Sequence, residues 1–207
     1  MKGLLYKEFL SLKKYLNALG LLLVLYFGIS VYSREVSFFA GFSAMAAVIV
    51  TFSAFTYDNY ANWDRYALSL PLSRKNLVQG RYLFALIIVA VCLILNLVCG
   101  GIILLFSQEP ISLLIYSSLA VAGVSLLLIS LIMPIAFRFG VDRGRIYAVV
   151  IALCIVGAMV AAQNYLYALD RLIAMLDRLL PLVPFLLAAV VFISYRLSCR
   201  ICSKKEY

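Results

Sequence analysis

The chain has 207 residues, of which 66% are apolar, 13% are charged and none is histidine, with a formal net charge of +9 and a mean hydropathy of +1.07. Soluble proteins run at about 45–50% apolar and about 25% charged, so the excess of Leu, Ile, Val, Ala, Phe and Tyr must be solvated by lipid. Six spans of about 20 residues would use roughly 120 residues, which leaves too little chain for a folded ATPase or receptor domain, and any energy source must come from another chain. The lack of histidine removes the commonest general base, metal ligand and pH switch, and with it histidine-dependent intramembrane proteases and His-based zinc enzymes.

The chain opens on an amphipathic segment, residues 1–14. Leu5, Phe9, Leu12 and Leu16 recur at helical spacing while Lys2, Lys7, Glu8, Lys13 and Lys14 are assigned to other faces. This predicts a helix lying in the inner interface, with Tyr6 and Tyr15 at headgroup depth, that turns into the first span. The alternative is a positively charged extension of that span. Apolar runs at 15–32, 36–57, 82–106, 111–137, 146–162 and 181–197 are each long enough to cross a bilayer as a helix. The expected fold is therefore all-α, a polytopic membrane protein with six transmembrane helices.

Lys and Arg set the orientation, because these charges are retained on the cytoplasmic side. Lys2, Lys7, Lys13 and Lys14 precede the first span, and Arg65, Arg74, Lys75 and Arg81 lie between spans two and three. Arg138, Arg143 and Arg145 lie between spans four and five, and Arg196, Arg200, Lys204 and Lys205 lie at the end. The other three connections hold only Arg34, Arg171 and Arg178. Both termini are expected inside. The net positive charge is explained by topology and membrane lipid, with no nucleic acid needed.

The second connection, 58–81, is patterned. Asn62 or Asp58 can cap a short helix, Pro71 ends it, and Ser73 can cap the next. Trp63, Tyr66, Ala67 and Leu70 share one apolar face, flanked by Asp64 and Arg65. Such a helix fits a groove on a cytoplasmic partner, or equally the lipid headgroups. An amino-terminal Lys-Glu-containing helix, a polar patch at the end of span two, and the run Leu68-Ser69-Leu70-Pro71-Leu72-Ser73-Arg74-Lys75-Asn76-Leu77-Val78 together resemble the permease subunits of ABC-2 type transporters, in style the short bacterial peptide exporters such as those for phenol-soluble modulins. The resemblance implies a type V exporter-like membrane domain that dimerises, here expected as a homodimer, with two separate ATPase subunits that bind ATP and Mg. It further implies that 62–70 is the coupling helix, with Asn62, Trp63, Asp64, Arg65, Tyr66, Ala67 and Leu70 at the ATPase contact. The corresponding home is a bacterial cytoplasmic membrane.

Between spans five and six, Leu169-Asp170-Arg171-Leu172 is echoed by Leu176-Asp177-Arg178-Leu179, which predicts an external amphipathic helix over 163–180. In the resembled family short helices at this place help close the external end of the pathway. The alternative is a helix resting in the outer headgroups.

Within the spans the polar groups are neutral, among them Asn96, Thr51, Ser125 and Ser130, which argues against proton- or ion-coupled transport. Asn96 and Thr51 are candidates for lining a pathway or bridging helices; Asn96 shares a face with Cys92 and Gly100, a pattern suited to close helix contact. Pro134 predicts a kink in span four. Cys92, Cys99 and Cys154 read as small apolar residues, while Cys199 and Cys202 form a single CxxC without the second pair a zinc site needs. No metal, no cofactor and no catalytic residue is expected in this chain. No GxxxxGK[ST] loop occurs, so nucleotide is assigned to a partner. The leading expectation is an exporter permease whose cargo is an amphipathic or hydrophobic peptide. A drug or lipid exporter, an intramembrane enzyme and a non-transporting scaffold or immunity subunit are the alternatives.

Overall fold

A computed structural model describes residues 2–61, 63, 66–67, 74–107, 110–140, 150, 157 and 183–204. Among them are five long helices and no strand: α1 Lys2–Ser33, α2 Val36–Tyr60, α3 Arg74–Phe106, α4 Ile111–Phe139 and α5 Val183–Lys204. All five are long and apolar enough to cross a membrane, as the apolar runs require, since a backbone in lipid must satisfy its own hydrogen bonds. The expected span at 146–162 and the external helix at 163–180 lie outside the described residues, apart from Val150 and Gly157, which are both helical.

The helices start and stop by hydrogen bonding, not by hydropathy, and the largest differences from expectation follow from that. Helix α1 runs without interruption from Lys2 to Ser33, so the segment at 1–14 does not turn into the first span but continues it. Nothing between Lys13 and Leu16 breaks a helix, and a turn there would forfeit several backbone bonds. Its 32 residues make about 48 Å of helix, well beyond the roughly 30 Å hydrocarbon core. Helix α3 likewise begins at Arg74, eight residues before the apolar run that predicts it. Glu8 is not on an outward face, as the amphipathic reading has it. It lies three residues after Leu5 and four before Leu12, on the same stripe as the fully enclosed Leu12, and is itself 4% exposed.

The α1–α2 joint is tight. Arg34 takes a left-handed conformation with φ 59°, and the Glu35 N–H reaches back to the Ser30 carbonyl at 3.2 Å, which satisfies a carbonyl that the helix end leaves open. Helix α2 packs against α1, α3 and α4. Near the opposite end from the lysines, Gly100 lets α3 approach α4 closely. A Cβ added at Gly100 would stand 2.4 Å from Leu114 Cδ1 and 3.3 Å from Val36 Cγ1. The small-residue face carrying Cys92, Asn96 and Gly100 is thus a packing face.

Helix α4 continues through Pro134. Proline has no N–H for the carbonyl four residues earlier, that of Ser130, and the Ser194 hydroxyl of α5 supplies the missing donor at 2.5 Å. Helices α4 and α5 are parallel: Gly123 meets Leu187 and Ser130 meets Ser194, each pair with the same offset of 64 residues. The end of α4 and the start of α5 therefore lie at opposite ends of the bundle. The starts of α1 and α3 and the ends of α2, α4 and α5 gather at one end, where Glu8, Trp63, Arg81, Phe137 and Cys202 surround one small cavity.

Candidate functional site

At that end four charged side chains from three helices are drawn together inside the protein. Asp58, in the last turns of α2, accepts from Lys7 of α1 through one carboxylate oxygen and from Arg81 of α3 through the other. Glu8 completes the group, with its Oε1 3.4 Å from an Arg81 guanidinium nitrogen and 3.6 Å from Lys7 Nζ. The side chains of Asp58 and Glu8 are 5% exposed, that of Arg81 is 9% and that of Lys7 is 20%. Two positive and two negative charges balance, which is the condition under which charges this enclosed are tolerated.

Helix periodicity puts them there. Asp58 extends the buried α2 stripe of Ala47, Val50, Thr51 and Ala54, while Arg81 follows Val78 and precedes Ala85 and Ile88 on the enclosed face of α3. The Phe55 ring lies under the Arg81 guanidinium at 4.5 Å and packs edge-on against Phe137 of α4 at 5.0 Å, so the cluster also engages a fourth helix. Glu8 Oε2 and Arg81 Nη1 are buried without a hydrogen-bond partner.

The connection between α2 and α3 rests directly on this cluster. Lys7 Nζ sits 4.3 Å from the centre of the Trp63 ring, a cation–π contact, and Trp63 meets Tyr66 with ring centres 5.4 Å apart. Trp63, Tyr66 and Ala67 are helical; Ala67 is fully enclosed and Tyr66 is 59% exposed. Of the face expected to meet a partner, Tyr66 thus points outward, whereas Ala67 points into the protein and Trp63 into the charge cluster. Asn62, Asp64, Arg65 and Leu70 lie outside the described residues.

The two neutral polar candidates in the spans are placed elsewhere. Thr51 donates to the Ala47 carbonyl of its own helix at 2.8 Å. Asn96 is fully enclosed and its amide faces Ser43 of α2 at 3.5 Å. Neither lines the large groove of about 880 Å³ between α2 and α4, which is walled by Ala40, Gly41, Ala44, Phe52, Val121 and Val124 among others, with no charged side chain among the described residues that line it. Cys202 is buried and Cys199 half-buried, and no cluster of potential metal ligands occurs among the described residues.

Sequence reading placed Lys7, Glu8 and Arg81 among the solvated charges of the basic side and left Asp58 as a helix cap. The signal for their burial was their register with the apolar stripes, Glu8 between Leu5 and Leu12 and Arg81 between Val78 and Ala85. Comparison with known families adds the remaining constraint. The family model described as "ABC-2 family transporter protein" matches residues 3–203, while no curated protein and no solved structure matches. With a match over nearly its whole length and several membrane-length helices, the chain is a multi-pass membrane protein that belongs to the ABC-2 type transporter permeases.

Proposed function

We propose that the chain is the permease subunit of an ATP-driven exporter, in which two copies form the pathway and two separate ATPase subunits bind ATP and Mg and drive it. The observation that carries this reading is the seating of Trp63 on the Lys7–Glu8–Asp58–Arg81 cluster. A force on the α2–α3 connection is delivered through Trp63 and Lys7 to three helices at once, which is what a loop must do to turn ATPase closure into helix movement. Tyr66, exposed beside it, offers the outward contact, with Asn62, Asp64, Arg65 and Leu70 assigned to the same surface.

Six spans with both termini inside a bacterial cytoplasmic membrane fit the parallel α4 and α5, since the end of α4 and the start of α5 lie at opposite ends of the bundle. The groove between α2 and α4, whose described lining is apolar with Ser37, Ser53, Thr56 and Ser117 among it, suits an amphipathic or hydrophobic peptide better than an ionic cargo.

The test is to purify the chain with its partners in mild detergent and measure ATP hydrolysis. A stoichiometric ATPase stimulated by amphipathic peptides is the expected result, and in Trp63→Ala and Tyr66→Ala that stimulation falls while membrane insertion is unchanged. Unchanged coupling in both variants would remove the loop assignment. Stimulation by drugs or lipids alone would transfer the cargo to those classes, and a chain that never associates with an ATPase would support a scaffold or immunity subunit.

A further inference from the structure

A second large groove, of about 1190 Å³, runs between α3, α4 and α5; it adjoins the α2–α4 groove at Ala120 and Val124 of α4 and shares no lining residue with the cavity at the charge cluster. Its walls are Leu83 and Leu86 of α3, Leu119 and Leu127 of α4, and Leu187 and Val191 of α5, with no charged side chain among the described residues that line it. Along α5 the lining extends from Pro184 to Tyr195, about 17 Å at 1.5 Å per residue. That is close to one leaflet of a hydrocarbon core of roughly 30 Å.

Its two ends differ chemically. Toward the basic end the apolar walls give way to polar groups: Gln79 and Tyr195 line the groove. Arg196 lies beside them, its guanidinium 5.3 Å from the ring centre of Phe192, which is itself a lining residue. Lys75, exposed, stands one helical turn before Gln79 on the same face of α3, and Arg200 follows Arg196 by one turn on α5. The groove is thus an apolar slot of leaflet depth with positive charge at one end.

We infer that this groove is a binding site for an anionic phospholipid, with one acyl chain lying between α3, α4 and α5 and the phosphate-bearing headgroup held by Arg196 and Lys75. Charge complementarity selects this occupant. An apolar slot alone would take any acyl chain, whereas two cations placed where the chain ends favour a lipid of net negative charge. The short polar rim of Gln79 and Tyr195 supplies hydrogen-bonding partners at glycerol depth. The site does not depend on which cargo is exported or in which direction.

Native mass spectrometry of the delipidated full chain, back-titrated with phosphatidylglycerol or phosphatidylcholine of the same acyl composition, tests it. Each positive charge near a headgroup is worth roughly a fivefold preference for the anionic lipid. The wild type is expected to retain one phosphatidylglycerol in preference to phosphatidylcholine. Arg196→Gln loses roughly fivefold of that preference, and Arg196→Gln with Lys75→Gln brings the two lipids to parity. Ala188→Phe, which fills the groove from its wall, lowers retention of both lipids without changing their ratio. Equal retention of the two lipids by the wild type, or a preference untouched by the double substitution, overturns the proposal. An Ala188→Cys chain that is shielded from a lipid-soluble maleimide after delipidation, or that cross-links to a second copy, would also overturn it, by showing that protein covers the groove.

Discussion

Ser194 on α5 donates a 2.5 Å hydrogen bond to the Ser130 carbonyl on α4, the carbonyl that Pro134 leaves without a helical partner. The bond is one link of a longer run. The Tyr82 hydroxyl of α3 lies 2.6 Å from Ser194 Oγ and 2.9 Å from Ser198 Oγ, and a single ordering satisfies all of them, with Ser198 donating to Tyr82, Tyr82 to Ser194 and Ser194 to the carbonyl. Three helices are tied by groups that the apolar setting would otherwise leave unpaired. In Ser194→Ala a buried carbonyl loses its donor, at a cost of about 1–3 kcal/mol. The same substitution made in Pro134→Ala, where the helical N–H is restored, is expected to cost distinctly less. Thermal unfolding of the four proteins in one detergent measures the difference, and equal costs in both backgrounds would refute the link.

The charge cluster makes a sharper claim about stability. Removing one partner of a buried ion pair costs about 3–5 kcal/mol because the other charge is left uncompensated. Asp58→Ala, which strands Lys7 and Arg81, is therefore expected to unfold at much lower denaturant than the wild type. Neutralising both Asp58→Asn and Arg81→Gln leaves a balanced Lys7–Glu8 pair and should be milder than Asp58→Ala. Strictly additive losses in a double-mutant cycle would show that these residues do not interact.

Lys7 serves two contacts, to Asp58 and to Trp63. Lys7→Arg keeps the charge and the cation–π contact and should preserve coupling between ATP hydrolysis and transport. Lys7→Gln, which leaves Asp58 and Glu8 with Arg81 alone and so lowers stability, should still insert in the membrane but reduce stimulated hydrolysis toward the basal rate. Equal stimulation in both variants would detach Trp63 from the transmission of force.

Gly100 provides a graded steric test. The atom nearest an added Cβ is the end of the flexible Leu114 side chain, so Gly100→Ala is expected to be tolerated by rotation of Leu114. Gly100→Leu has no such escape between Leu114 and Val36, and overpacking of this kind costs about 1–3 kcal/mol. A melting temperature for Gly100→Leu equal to that of the wild type would contradict the close approach of α3 and α4.

Orientation can be read by chemistry at the two ends of the bundle. Tyr60 at the end of α2 is 77% exposed, and Ile111 at the start of α4 is 72% exposed. In a background with the five cysteines replaced by alanine, Tyr60→Cys should react with a membrane-impermeant maleimide only after the cytoplasmic side is opened. Ile111→Cys should react in intact cells. The reverse pattern would invert the assigned topology.

Length, apolar content and the segregation of Lys and Arg determine by themselves that this chain is a bundle of membrane helices, because backbone in lipid has few ways to satisfy its hydrogen bonds. The amino-terminal Lys-Glu-containing helix, the polar patch at the end of span two and the run from Leu68 to Val78 together suggested the ABC-2 family. The α1 continuation through Lys14 was one of two readings the sequence left open, since hydropathy marks where lipid begins and not where a helix does. The burial of Glu8, Asp58 and Arg81 was not legible, although each sits in register with an apolar stripe. Whether a charge at such a position faces solvent or a counter-charge depends on which helices adjoin it, and that is decided only when α1, α2 and α3 meet. The pairing of Ser194 with the carbonyl freed by Pro134 is of the same kind. One sequence feature creates an unsatisfied group, and only the parallel packing of α5 on α4 brings the group that satisfies it.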